Sequence, residues 1–198
     1  VSADLPQAFD GYRVALITDL HVGPTRGRAF TQRVVDMVNA EKPDLIVLGG
    51  DMIDGSVAGL GDELAPLATL RATDGVVATT GNHEFYYDAE WRRQGLAVLD
   101  NDARIITRGG ASIDVLGIND YSGTGALRPD LDAAVNRLVA LGGSASDRGR
   151  FRLLVASAAP GDGRLGRHGG LVRDRPPGLR PHARRTDVAL PVPGQAAA

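Results

Sequence analysis

Cysteine is absent from the chain. This excludes disulfides, thiolate metal sites and cysteine nucleophiles, and it leaves the redox compartment open. Lysine is nearly absent: Lys42 is the single one among 22 basic residues, the mark of a coding sequence biased toward G and C. With 24 acidic residues the net charge is −2, so no basic surface advertises nucleic acid or an anionic membrane. No apolar run approaches the roughly 18–20 residues needed to span a bilayer. No signal peptide is visible. The first residue is Val1 rather than Met, so we expect sequence upstream of it. No nucleophile-elbow motif surrounds Ser122 or Ser157, which removes serine-hydrolase chemistry. Gly49-Gly50 is not part of a G-x-G-x-x-G, which argues against a dinucleotide fold.

What remains is an ordinary soluble composition, 43% hydrophobic and 23% charged over 198 residues, enough for one domain with a substantial core. Residues 1–11 read as an extended lead-in. Residues 12–18, 45–49 and 75–80 are short apolar runs that predict buried strands. Between the first two, Phe30, Val34, Met37 and Val38 recur at helical spacing, ending before Pro43. Between the second and third, a helix is predicted from Asp62 as N-cap, with Leu64, Leu67 and Leu70 on one side and Pro66 near its first turn. Residues 88–95 predict a short helix ending at glycine. Residues 104–107 and 112–118 read as strands joined by a Gly109-Gly110 hairpin. Pro129-Asp130 opens a further helix with Leu131, Val135, Leu138 and Val139 on one face, and residues 151–156 form a last buried strand. The βαβα order followed by a hairpin and a helix predicts an α/β sandwich.

Three of these strands end in polar groups. Asp19-Leu20-His21 closes the first, Gly50-Asp51-Met52-Ile53-Asp54 the second, and Gly81-Asn82-His83-Glu84 the third. They fall roughly thirty residues apart, the length of one βαβ unit, so each crossover returns the chain to the same sheet edge. Ligands sit outside the carboxyl ends of strands in open α/β sheets, which predicts one shared site. Taken singly, Asp19 and Asp54 read as cap or turn residues and His21 as a surface histidine. Jointly, Asp, His and Asn donors suit Mn, Fe or Zn. Two such ions, held about 3.5–4 Å apart, are typical of phosphate-ester hydrolysis. Tyr86, Tyr87 and Trp91 read as core or rim packing beside the site.

The three motifs resemble those of the calcineurin-like metallophosphoesterases: D-x-H, then G-D-x-x-D, then G-N-H-[DE]. The likeness covers residues 10–156, and the flanking text is similar to the bacterial single-domain phosphoesterase and phosphodiesterase branch. The resemblance implies a metallophosphoesterase-type α/β sandwich and a hydrolase of phosphate mono- or diesters with two divalent metal ions. It implies that Asp19 and His21 hold the first metal, that Asp51 bridges both and that Asn82 binds the second. His83 is then the general acid, Asp54 its orienting partner, and Glu84 an anchor for the turn rather than a ligand. Many members follow membrane-spanning segments, so the resemblance leaves localisation open between cytoplasmic and membrane-associated.

The likeness stops at the C-terminal side. The family completes its site with an A-H-Q-P-like stretch and a G-H-x-H, whereas this chain has Val155-Ala156-Ser157-Ala158-Ala159-Pro160 and no G-H-x-H. His168 and His182, in the Ala/Gly/Pro/Arg-rich tail, are the remaining histidines, and a tail histidine is usually just solvated. We therefore divide the chain into residues 1–156, a phosphoesterase domain incomplete at its C-terminus, and residues 157–198, an irregular tail expected to pack poorly. The expectation is a hydrolase impaired by missing ligands. The competing readings are an inactive remnant that binds at most one metal weakly, and a binding module on the same scaffold.

The genetic code suggests a cause. Choose codons for Leu179 to Ala198 and read from the second base of the Leu179 codon: a permitted choice spells S-G-H-T-H-G-G-Q-M-W-P-F-Q-Y-L-V. The same shift near Ala156 permits H-Q-P. Third bases are free in this exercise, but the other two are largely fixed by the residues. The coding DNA is therefore expected to carry G-H-x-H in the next frame downstream of the Ala156 codon; a DNA sequence without it ends the frameshift explanation.

Overall fold

Leu45, Ile46, Val47 and Leu48 are all 0% exposed. They form β2 (Leu45–Leu48), and its near-continuous apolar character follows from having both faces covered. In the computed structural model, which describes residues 5–87, 96–145 and 150–157 and the backbone of Gly170–Arg173, β2 pairs in parallel with β1 (Val14–Ile17) and β3 (Val76–Ala78). The two-residue β4 (Ala97–Val98) extends this parallel sheet beyond β3. A second sheet has the order β5 (Asp102–Arg108), β6 (Ala111–Ile118), β7 (Phe151–Ala156) and β8 (Gly170–Arg173). Here β6 pairs in parallel with β7, and the outer pairings are antiparallel.

Alternation of side chains along β2 divides the core. Leu45 and Val47 join Val77, Ile113, Val115, Leu153 and Val155 between the two sheets. Ile46 and Leu48 pack the other way, with Val35 and Val38 of α1 (Arg28–Ala40) and Leu64 of α2 (Gly61–Leu64). On the outer face of the second sheet, Leu116 and Ile118 meet Ala134 and Leu138 of α4 (Leu131–Ala140); α3 (Asn82–Tyr86) is the short helix after β3. The layers run helix, sheet, sheet, helix. This is the α/β sandwich expected from the element order.

Several local expectations shift. The buried stripe of α1 is Thr31, Val35 and Val38, and Met37 is exposed; the Thr31 hydroxyl turns back to the Gly27 carbonyl, which lets a polar residue pack inward. On α4 it is Ala134 and Leu138 that are buried, whereas Leu131 and Val139 face out. Its N-cap is as expected, with Asp130 Oδ1 accepting from Ala133 N–H at 2.8 Å. The helix expected from Asp62 lasts one turn, Gly61–Leu64, and tightens into a 3-10 segment, Ala65–Thr69, where Pro66 has no N–H to give. Asp62 lies in its first turn, not at the cap. The hairpin forms as expected: Gly109 and Gly110 take φ of 56° and 78°, the left-handed pair a two-residue turn requires. The lead-in contains a 3-10 turn, Gln7–Phe9. β4 and β8 are elements the sequence reading did not assign, and the helix expected over residues 88–95, with Trp91, lies outside the described residues. Among the described residues no helix is long and apolar enough to cross a membrane.

The edge of the sandwich opposite the candidate site is tied by charge. Arg108 Nη2, at the end of β5, reaches Asp44 Oδ1 at 3.0 Å and Asp74 Oδ2 at 3.1 Å, the residues just before β2 and near the start of β3. Its guanidinium lies 4.9 Å from the Tyr12 ring centre, and the Tyr12 hydroxyl donates to Asp74 Oδ2 at 2.8 Å. Burial, then the Asp74 carboxylate, push the Tyr12 phenol well above its ordinary range. A raised tyrosine pKa contributes stability that is intact below the unfolded value of about 10 and lost as pH rises through the folded value. Tyr12→Phe is therefore expected to cost about 1 kcal/mol at neutral pH. It should also remove part of the alkaline loss of stability, as read by urea unfolding at pH 8 and above pH 10.

Candidate metal centre

The first two polar strand ends leave their sheet through left-handed backbone, while the third passes through an extended Gly81. Asp19, His21 and Asp51 have φ of 57°, 46° and 54°. Positive φ is uncommon outside glycine and costs roughly 1–3 kcal/mol per residue, so it persists only where neighbours hold it. The first two strand ends hold one another. Asp19 N–H donates to Gly50 O at 3.1 Å, His21 N–H to Asp51 O at 3.1 Å, and Val22 N–H to Met52 O at 2.8 Å, while Asp54 N–H returns to Val22 O at 2.8 Å. The parallel pairing of β1 and β2 thus continues past the sheet as a ladder between two loops. Arg26 closes the first loop by donating from Nη1 to Leu20 O at 3.1 Å.

The third strand end joins through a helix cap divided between two loops. Gly81 is the N-cap of α3, with Asn82, His83 and Glu84 as the first three helical residues. Glu84 reaches back to accept from Gly81 N–H at 2.6 Å, which is half of a capping box. The other half, a side-chain oxygen at the N-cap, cannot come from glycine. Asp51 supplies it: its Oδ1 accepts from His83 N–H at 3.0 Å. A Cβ at Gly81 would overlap that same Asp51 oxygen, so the cap position has room for a side chain from only one of the two loops. Gly50, at φ 97°, lies against the Gly81 backbone, where its own Cβ would stand 2.6 Å from Gly81 N. Glu84 is 3% exposed and accepts two further bonds, from Asp51 N–H at 2.9 Å and Met52 N–H at 2.8 Å. Burial pushes its carboxyl above the usual range, and the N–H groups of Gly81, Met52 and Asp51 pull the other way.

Around this frame the side chains converge. One oxygen of each of Asp19 and Asp51 and a ring nitrogen of His21 lie within 4.8 Å of one another. His21, Asp54 and His83 form a second, overlapping group by the same measure. Asp54 Oδ1 accepts from His21 Nδ1 at 2.8 Å and lies 2.8 Å from His83 Nδ1, the latter off the line of a directed hydrogen bond. The two imidazoles meet edge to face with centres 4.5 Å apart. With Nδ1 turned to the carboxylate, each ring has Nε2 left for a ligand or a proton. The oxygen and nitrogen donors of the first group fit a divalent transition metal. Tyr86 and Tyr87 stand at the rim, with ring centres 6.0 and 6.1 Å from that of His83.

Asp19, His21, Asp51, Asp54 and His83 are thus brought together at the carboxyl ends of β1, β2 and β3, and Asn82 opens α3 directly before His83. His168 and His182 lie outside the described residues. Two features escape sequence reading. One is the Asp54–His21 contact, since the resemblance pairs Asp54 with His83 alone. The other is the reach of Glu84 across to Asp51 and Met52, about thirty residues earlier.

The residues match a family model for the calcineurin-like phosphoesterases over positions 12–164. Among curated proteins, the zebrafish (Danio rerio) "Transmembrane protein with metallophosphoesterase domain" is 42% identical over 82 residues, covering 41% of this chain and 19% of that protein. An uncharacterized metallophosphoesterase of Helicobacter pylori strain 26695 is 31% identical over 132 residues, covering 63% of this chain and 35% of the relative. One from Bacillus subtilis is 25% identical over 146 residues, covering 69% and 50% respectively. The chain therefore spans half or less of the length of these relatives.

The divided cap makes Gly81 a sensitive position. Gly81→Ala is expected to destabilise by roughly 1–3 kcal/mol, the cost of forcing a methyl into packed structure. Gly61→Ala, where a Cβ meets nothing within 4 Å, is expected to be neutral or slightly stabilising. Thermal unfolding of the two variants side by side reads the difference.

Proposed function

This chain belongs to the calcineurin-like phosphoesterase family, and we propose that it carries the metal-holding, N-terminal portion of a phosphate-ester hydrolase site. The observation that carries the reading is the cluster formed by Asp19, His21 and Asp51, with His83 beside it. In this proposal Asp19 and His21 would hold one divalent ion, Asn82 a second, and Asp51 would be shared between them. The ions, when bound, supply Lewis-acid neutralisation of charge on the phosphoryl group and a nucleophile at neutral pH. The chain's own residues do the rest. Asp54 accepts from His21 Nδ1, which leaves the Nε2 lone pair of that ring for the ion. The same carboxylate lies 2.8 Å from His83 Nδ1, which leaves the Nε2 of that ring to give a proton to the leaving-group oxygen. The acidic side chains repel a phosphate ester until cations are present, which makes the site metal-dependent. Mn, Fe and Zn all suit these donors. The substrate class is a phosphate mono- or diester. The zebrafish relative's name supports a membrane-attached full-length protein.

We further propose that residues 157–198 are read out of frame, so that the ligands completing the dinuclear site are not expressed in this chain. A second reading follows from the same feature. Beyond β6 the described residues contain no histidine, so among them the ligands come from one side only. On that reading it binds at most one metal weakly and turns nothing over.

Both readings are tested by one comparison. This chain and a version with the frame restored after Ala156 are assayed with bis(p-nitrophenyl) phosphate in Mn²⁺. The frame-restored protein is expected to hydrolyse it, His83→Ala in that protein to lose roughly 10²–10⁴-fold in rate, and the present 198-residue chain to be far slower. Equal rates from both chains would remove the frameshift proposal. No metal-dependent hydrolysis from either would remove the enzyme reading.

A further inference from the structure

We infer that Glu84 is a positioning residue of the metal centre, one that sets Asp51 and His83 together while touching neither metal nor substrate; the inference rests on the proposed metal site. Two bonds of the Glu84 carboxylate bracket a single residue. Asp51 N–H and Met52 N–H are the amides on either side of the Asp51 Cα, and Glu84 accepts from both, at 2.9 and 2.8 Å. Fixing both amides fixes the two backbone torsions between them. Asp51 is in the left-handed region, at φ 54°, a conformation that relaxes unless its surroundings over-determine it. The direction of the Asp51 carboxylate therefore depends on Glu84.

The third bond carries the effect to the other strand end. Glu84 accepts from Gly81 N–H at 2.6 Å and so pins the first turn of α3. Asp51 answers with Oδ1 on His83 N–H at 3.0 Å. The proposed bridging ligand and the proposed general acid are thus joined by a closed ring of bonds: Glu84 to the Asp51 backbone, Asp51 side chain to the His83 backbone, and one covalent step back to Glu84. A helix-capping role alone accounts for the Gly81 bond. It does not account for the two bonds to a loop more than thirty residues earlier. Nor does a generic structural role require that all three donors flank or precede site residues. A carboxylate is the one side chain that offers this many acceptor sites; glutamine would set an NH2 against an amide N–H.

The variants Glu84→Gln and Glu84→Asp separate this role from fold support. Each is first checked for cooperative unfolding, then titrated with Mn²⁺ while free Mn²⁺ is followed by electron paramagnetic resonance. Metal-free samples are compared by the imidazole signals of His21 and His83 in NMR. Cooperative unfolding is expected in at least one variant. In that variant Mn²⁺ affinity should fall roughly 10- to 100-fold, the usual effect of losing a group behind a ligand, and the His83 signals should move. A folded variant with parental Mn²⁺ affinity and unmoved imidazole signals overturns the inference. If the parent chain binds no Mn²⁺, the metal reading fails by itself and the imidazole signals decide: moved signals sustain Glu84 as the positioning group, unmoved ones overturn it. Loss of cooperative unfolding in both variants also overturns it, because Glu84 would then serve the fold rather than the site.

Discussion

A buried carboxylate that receives three backbone N–H groups from two strand ends is the constraint on which the site depends. Burying Glu84 costs several kcal/mol in lost hydration. Three charge-assisted bonds, each worth roughly 1.5–3 kcal/mol, offset that cost with little left over. What the arrangement supplies is geometry more than stability. It makes the left-handed Asp51 the settled conformation, and it explains why glycine stands at 50 and 81, where the loops close against each other. The Asp51 carboxylate fills the N-cap place that Gly81 leaves open, so one side chain both caps α3 and contributes an oxygen to the ligand cluster.

The sandwich delivers these loops to the same place. Because β1, β2 and β3 are parallel and adjacent, their carboxyl ends lie side by side, and every α/β crossover returns to that edge. The second sheet closes against them near the site. Gly117 of β6 has no room for a Cβ beside Leu99 and Thr79, and Thr80 Oγ1 donates to Asn119 Oδ1 at 3.2 Å across the gap. The far edge is fixed separately by Arg108 with Asp44 and Asp74. Rigid support on both edges is what a site built from loops needs if its donors are to hold position.

Much of the site was legible in the residues because strand periodicity and crossover length together imply convergence. Asp19, His21, Asp51, Asp54 and His83 meet where those two patterns place them. Less legible was anything decided by a third dimension. That Glu84 spans two loops is invisible in a tetrapeptide. The double contact of Asp54 depends on where His21 turns, at φ 46°, which no spacing encodes. The helix faces of α1 and α4 slipped by one position because a buried Thr31 and Ala134 carry weak hydrophobic signals. β4, at two residues, has no period to detect, and Pro66 cut short a helix whose leucine spacing looked longer.

We propose that the first and second strand ends form a metal site with His83 beside it rather than in it. An anomalous difference map from a crystal of this chain soaked in Mn²⁺ tests it most directly. The expected result is a peak coordinated by Asp19, His21 and Asp51 at about 2.0–2.2 Å, with the His83 ring outside the coordination shell. A saturated crystal with no peak between those three residues, or with His83 as a ligand, would contradict it.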